Sequence, residues 1–178
     1  MRSRLPKVLH PIAGKPLVEH VLALADAVQA AHTALVVAPD TIDLLRERLG
    51  DRYQYAVQAQ RLGTGHALQQ AQVALEGHVD RVLVLYGADP LMRPESVQKL
   101  LAALDAPGVV GAITTFRPPN PTGYGRILRD PTNNAVGVVE ERDATPAQRL
   151  IDEVNQGVVV YHAQWLWPHL AFLFSSYI

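Results

Sequence analysis

An α/β fold built on a mainly parallel sheet is what this chain predicts, and three observations predict it. Apolar runs of strand length recur through the first two thirds of the sequence. Between them lie segments whose apolar residues return at helical spacing. The composition, 48% hydrophobic over 178 residues, suffices for one compact domain with a core of its own. Strands that alternate with helices are joined by crossovers, and crossovers make neighbouring strands parallel.

The elements follow in order. Pro16 suits the first turn of a helix, after which Leu17, Val21, Leu24, Ala25 and Val28 form one apolar stripe. Residues 34–38 are apolar without a break, as in a strand covered on both faces. Asp40 or Thr41 caps a short helix that ends by Gly50. Residues 53–57 alternate as a strand, and a helix opens near Thr64, carrying Leu68, Ala71, Ala74 and Leu75, with Thr64 as its cap. Residues 81–86 are the next buried strand. Pro94 or Glu95 opens a helix that runs to Leu104 and breaks at Pro107-Gly108, and residues 109–116 form another strand.

The texture then changes. Residues 117–123, Arg-Pro-Pro-Asn-Pro-Thr-Gly, are too rich in proline for a central strand. Residues 126–129, 136–139 and 157–161 read as shorter strands, with turns near 130–134 and 144–147, so a small antiparallel flank is expected here. A last helix over 163–174 should be bent or interrupted at Pro168.

Composition also excludes several functions. A formal net charge of -1 offers no electrostatic case for nucleic acid or an anionic membrane. Without cysteine there is no disulfide framework, thiolate nucleophile or Cys-ligated zinc. The histidines, His10, His20, His32, His66, His78, His162 and His169, show no zinc-ligand spacing. The start carries Arg2 and Arg4 but no apolar h-region, and no apolar run is long enough to span a bilayer. The expectation is a cytoplasmic domain.

The stretch with most chemical promise is Gln58-Ala59-Gln60-Arg61-Leu62-Gly63-Thr64-Gly65-His66-Ala67. It joins a strand to a helix through a turn whose two glycines let backbone approach a flat ligand. Free N–H groups at the helix start suit an anion or a base edge. On spacing alone the simpler reading is an ordinary strand-to-helix turn with a capping Thr.

The wording of the stretch points further. Leu62-Gly63-Thr64-Gly65-His66-Ala67 after a strand ending in Gln resembles the uridine-reading segment of bacterial N-acetylglucosamine-1-phosphate uridylyltransferases. Three other stretches resemble that family in the same order: Leu5-Pro6-Lys7-Val8-Leu9-His10 with Gly14-Lys15-Pro16; Leu85-Tyr86-Gly87-Ala88-Asp89-Pro90-Leu91; and Pro121-Thr122-Gly123-Tyr124-Gly125-Arg126-Ile127 with Val139-Glu140 and Asn155. The resemblance implies a Rossmann-like, doubly wound, mixed and mainly parallel sheet of the nucleotidyltransferase, GT-A-like kind. It implies transfer between UTP and N-acetylglucosamine 1-phosphate, giving UDP-N-acetylglucosamine and pyrophosphate for peptidoglycan precursor synthesis, with Mg2+ as cofactor. Another sugar-1-phosphate nucleotidyltransferase, or a non-catalytic uridine-nucleotide-binding module, are the competing readings.

Roles follow residue by residue from that resemblance. Lys7 would contact phosphate, with Lys15 a weaker second. Gln58, Gly63 and Thr64 would read uracil, a glutamine amide offering both donor and acceptor to an imide edge. Gly125, Glu140 and Asn155 would hold the amino sugar in the antiparallel flank, although Asn155-Gln156 departs from the family's usual Asn-Thr. The family's metal-binding Asp falls on Ala88, so Asp89 would have to bind magnesium from one residue later. In extended chain such a shift turns the side chain to the opposite face, unless a local bulge restores its aim. The family opens with a strand and a Gly-rich loop that this sequence does not contain. It also carries a later Asn ligand and normally a β-helix acetyltransferase domain. The chain over 1–178 is therefore expected to be a partial nucleotidyltransferase domain, unstable and inactive alone, with a homo-oligomer expected only for the full-length protein.

Overall fold

The structure is a computed structural model, and it describes Ser3 and residues 5–175, with side chains through Leu170. After a 3-10 turn at Lys7–Leu9, a two-residue hairpin pairs β1 (Pro11–Ile12) with β2 (Lys15–Pro16). The chain continues through α1 (Leu17–Ala27), β3 (Ala34–Val37), α2 (Ile42–Leu49), β4 (Gln54–Val57), α3 (Thr64–Leu75) and β5 (Arg81–Val84). Then come α4 (Pro94–Ala103), β6 (Gly111–Phe116), β7 (Arg126–Arg129), β8 (Ala135–Val139), α5 (Pro146–Arg149), β9 (Val154–His162) and α6 (Ala163–Ser175).

The apolar runs are strands because both of their faces are covered. Along β3, Ala34 and Val36 pack with Ala71 and Leu75 of α3 and Leu166 and Leu170 of α6, while Leu35 and Val37 pack with Leu22 of α1 and Leu45 of α2. Along β5, Val82 and Val84 join the α3–α6 side, and Leu83 joins Leu100 and Leu104 around α4. Alternate residues thus feed opposite layers, as the two-residue period of a strand requires. The sheet is wound on both faces, as expected.

Its pairing is mixed in a particular way. β3 and β4 are parallel. β9 lies between β5 and β6 and is antiparallel to both, so the antiparallel element is not confined to a flank. β7 pairs with β9 at its first residue and with β8 along its length, both antiparallel.

Several local expectations are corrected. The buried stripe of α1 is Val18, Val21, Leu22, Leu24 and Ala25, with Leu17 and Val28 only half-buried. Pro16 precedes that helix as its cap. Thr64 is the first residue of α3, not its cap: Gly63 takes that place with φ +100°, a left-handed conformation glycine adopts without Cβ strain. Thr41 caps α2 by position only, its hydroxyl donating back to the Ala38 carbonyl at 3.0 Å. Of the bend or interruption expected at Pro168, the interruption does not occur: α6 is continuous through it. The stretch expected as a turn near 144–147 leads into α5, which opens on a capping box between Thr145 and Gln148.

Candidate active site

Several of the sequence-selected residues lie just beyond the carboxyl ends of strands. Gln58 follows the carboxyl end of β4, and the turn carrying Asp89 follows the carboxyl end of β5. Because β9 runs antiparallel to β5, its opening residues, Asn155 and Gln156 among them, lie near the carboxyl end of β5. Crevices outside the carboxyl ends of strands are where open α/β sheets bind ligands.

Gln58, Gly63 and His66 meet directly. The Gln58 amide nitrogen donates to the Gly63 carbonyl at 3.1 Å and lies 3.0 Å from Nδ1 of His66. Thr64 is exposed beside them, and among the described residues the side-chain bonds of Gln58 use its nitrogen alone. His66 was quoted in the motif but given no role by the sequence; an i+3 offset from the helix cap is the signal that places it next to the strand end.

Gly125, Glu140 and Asn155 form a second group. The Asn155 N–H donates to the Gly125 carbonyl at 2.9 Å. A methyl group at Gly125 would lie 2.8 Å from Val138 Cγ1 and 3.3 Å from Glu140 Oε1, so the carboxylate closes on bare backbone. The side-chain oxygen of Asn155 is buried with no hydrogen-bond partner among the described residues. Leaving such an atom unmade costs about 1–3 kcal/mol, so it is an acceptor in want of a donor.

The neighbouring charges are already committed. Arg126, 1% exposed, pairs with Glu141 at 2.6 Å and also donates to the Tyr124 carbonyl. That guanidinium holds the Glu141 carboxyl below its ordinary range, helped by the Gly123 N–H. Of two adjacent carboxylates, Glu141 is therefore used in structure and Glu140 faces Gly125.

Asp89 sits where the strand argument did not foresee. After β5 the chain turns, the Asp89 N–H bonding to the Tyr86 carbonyl at 3.0 Å. A turn obeys no strand alternation, so a shift of one residue does not send the side chain to the far face. The Asp89 carboxylate instead accepts from the Gln156 amide at 2.7 Å, and the Gln156 oxygen is met by the Thr114 hydroxyl. Gln156 thus links the Asp89 turn to β9 and β6. The sequence marked it only as a departure.

Lys7 is exposed on the 3-10 turn, and Val8 beside it packs toward Gly87 of the Asp89 turn. Lys15 is exposed on β2.

A cavity of about 640 Å³ runs between β3 and β5, lined by Val36, Val37, Val82 and Val84 and reaching Val8, Thr64, Tyr86 and Gly87. Among the described residues, no helix is long and apolar enough to cross a membrane, and no group of three or more His, Cys, Asp or Glu could hold a metal.

Comparison with known proteins gives this geometry a setting. The family model for the MobA-like NTP transferase domain matches residues 1–165. A bifunctional protein GlmU from Azorhizobium caulinodans is 46% identical over 166 residues, 92% of this chain and 37% of the relative. Its namesake from Cellvibrio japonicus is 44% identical over 170 residues, 93% of this chain and 37% of the relative. That from Alcanivorax borkumensis is 40% identical over 176 residues, 99% of this chain and 38% of the relative. The chain spans little more than a third of the length of these curated relatives. Among solved structures, a CMP:2-keto-3-deoxy-manno-octonic acid synthetase complexed with CTP has a similar fold. Its TM-score is 0.67 at 20% identity, over 98% of this chain and 78% of the other.

Proposed function

This chain belongs to the MobA-like NTP transferase domain family, and from that premise we propose that its site serves the joining of UTP and N-acetylglucosamine 1-phosphate to UDP-N-acetylglucosamine, with release of pyrophosphate. The observation that carries the reading is the convergence of Gly125, Glu140 and the buried Asn155 oxygen, which has no hydrogen-bond partner among the described residues. Those are the groups the resemblance assigns to the amino sugar, 30 residues apart at the extremes of the set and together in space. The match to the NTP transferase family supports transfer from a nucleoside triphosphate.

In this reading a phosphate oxygen of the sugar phosphate attacks the α-phosphorus of UTP, and pyrophosphate leaves. The protein's work is placement and charge compensation. Gln58 and the backbone at Gly63 and Thr64 hold the uracil. Gly125 lets the sugar ring lie on main chain, Glu140 accepts from its hydroxyls, and Asn155 accepts from a donor such as the acetamido N–H. Lys7 offsets phosphate charge. Asp89 suits Mg2+ in one respect: it is held by a neutral amide, not by a cation, so its charge stays available. It would be one carboxylate of a site completed by substrate phosphates, the usual manner of Mg2+, and the ion would supply further charge compensation there. Cytoplasmic location and a homo-oligomer in the full-length protein belong to the same proposal.

The test is calorimetric titration of the chain with UTP, CTP and N-acetylglucosamine 1-phosphate, together with a pyrophosphate-release assay in Mg2+. Binding of both UTP and the sugar phosphate is the expected result for the transferase site, and turnover in addition would overturn the expectation that residues 1–178 are inactive alone. Binding of UTP without the sugar phosphate supports the binding-module reading. Binding of neither ligand refutes both.

A further inference from the structure

We propose that His66 determines base specificity at the nucleotide site: its ring locks the Gln58 amide so that the pocket presents an acceptor to a base carrying an imide N–H. Uracil has that N–H; cytosine has a bare acceptor nitrogen at the same place. The inference rests on the uridine reading above.

The lock follows from hydrogen-bond chemistry. A carbonyl can only accept, so the Gln58 atom 3.1 Å from the Gly63 oxygen must be the amide nitrogen. That nitrogen is also 3.0 Å from His66 Nδ1, which must then be the accepting nitrogen of the ring. A neutral imidazole accepts at one nitrogen only, so its proton sits on Nε2. Gln70 competes for the other tautomer, its amide nitrogen lying 3.3 Å from Nε2, but the same nitrogen is shared with the His66 carbonyl at 3.3 Å. Each amide is oriented by a carbonyl, but the Gln58 contacts, at 3.1 and 3.0 Å, are both shorter than the two 3.3 Å contacts of Gln70, so Gln70 is the side chain that yields.

With its nitrogen engaged by two acceptors, Gln58 offers its oxygen to a ligand. An imide N–H meets that oxygen well; the bare nitrogen of cytosine meets it lone pair to lone pair. If the His66 acceptor is removed, only the Gly63 carbonyl opposes rotation of the amide. One such bond at an exposed site does not hold a single orientation. The amide then turns over and donates to cytosine. His66 touches no base in this account; it is a positioning residue, set beside the strand end because Gly63 starts the helix three residues earlier.

The experiment uses the 178-residue chain and two variants, His66→Leu and His66→Asn. Asn places an oxygen near the position of Nδ1 and so restores an acceptor without the ring. Nitrogen-15 shifts of the His66 ring in the free protein should show Nδ1 unprotonated. Titrations with UTP and CTP should show a preference for UTP in the wild type that falls about tenfold in the Leu variant, the worth of one hydrogen bond lost to a turned amide. The Asn variant should retain the preference. A protonated Nδ1 in the free protein overturns the lock regardless of binding. An unchanged preference in the Leu variant, or loss in both variants alike, overturns the specificity role while leaving the uridine reading intact. If the wild type binds neither nucleotide, the uridine reading fails, and this inference fails with it.

Discussion

Gln58 reaches no ligand through its nitrogen, because Gly63 and His66 already take it. Replacing it therefore removes an acceptor and frees two protein groups at once. Gln58→Ala should weaken UTP binding by about 1–3 kcal/mol, the usual cost of a polar partner left unmade, and should narrow the preference for UTP over CTP. Unchanged affinity and preference in a titration would contradict the uracil assignment. Asp89 admits a similar argument. Gln156, itself held by Thr114, fixes its carboxylate, and Asp89→Asn should abolish metal-dependent turnover of an active chain while leaving UTP affinity without metal unchanged. Metal affinity read by Mn2+ titration separates this from a folding defect. If Asp89→Asn binds Mn2+ as the parent does, Asp89 is not a ligand.

Among the elements, β9 joins structure to site. Its entry is held by Glu153, only 7% exposed, which takes two bonds from Arg129, at 2.8 and 2.6 Å, and one from Thr115 at 2.6 Å. The Arg129 hydrogen bonds come first among the causes that lower its pKa from 4.5 to about 2. A carboxyl with a depressed folded-state pKa stabilises the fold above its unfolded value, and that contribution disappears as pH falls through the folded value. Stability should therefore drop between pH 4.5 and about 2. Glu153→Gln should flatten this acid limb and lower stability near neutrality by about 1–3 kcal/mol, since Arg129 loses its charged partner. Thermal unfolding across that pH range decides it: an unchanged acid limb in the variant would assign the pH dependence elsewhere.

A few residues later β9 bulges. The register jumps between Ile113 and Thr115 of β6, where Gly157 adopts φ +102°. A methyl there would meet the Tyr86 ring at 2.4 Å. Gly157→Ala should cost about 1–3 kcal/mol for the conformation alone, and a Tyr86→Ala background should relieve only the ring contact. Full recovery in the double variant would show that the backbone carries no strain.

These elements also mark what can be read from sequence. Alternation of apolar runs with helical stripes was visible in residues 34–38 and 64–75, because periodicity is local. The position of β9 between β5 and β6 was not, since pairing between distant strands leaves no local trace. For the same reason the sequence showed Asp89 and Gln156 as two separate departures, although they lie 67 positions apart and touch. The Gly125, Glu140 and Asn155 group was legible only through resemblance; a lone Glu before Glu141-Arg142-Asp143 looks like any charged strand end. Two-residue strands such as β1 and β2 carry no period at all.

At the scale of the whole molecule, the sheet is divided. Among the described residues β3 pairs only with β4 and β5 only with β9, and the apolar cavity of about 640 Å³ separates β3 from β5. The Gln54 and Gln58 amides donate to the Thr33 and Val37 carbonyls, so odd-numbered residues of β3 face β4. The amides of Ala34 and Val36 then point to the cavity side. Hydrogen exchange should reflect this, with Leu35 and Val37 protected and Ala34 and Val36 fast. Equal protection at all four would mean that the second edge is satisfied.

The central claim is that one site holds uracil at Gln58 and an amino sugar at Asn155. Two-dimensional NMR of the labelled chain, titrated with UDP-N-acetylglucosamine, tests it most directly through the side-chain amides of these two residues. The product should shift both signals in parallel along one saturation curve, while UTP shifts Gln58 and leaves Asn155 in place. Saturation that moves neither signal, or that moves Asn155 with UTP alone, would contradict the account.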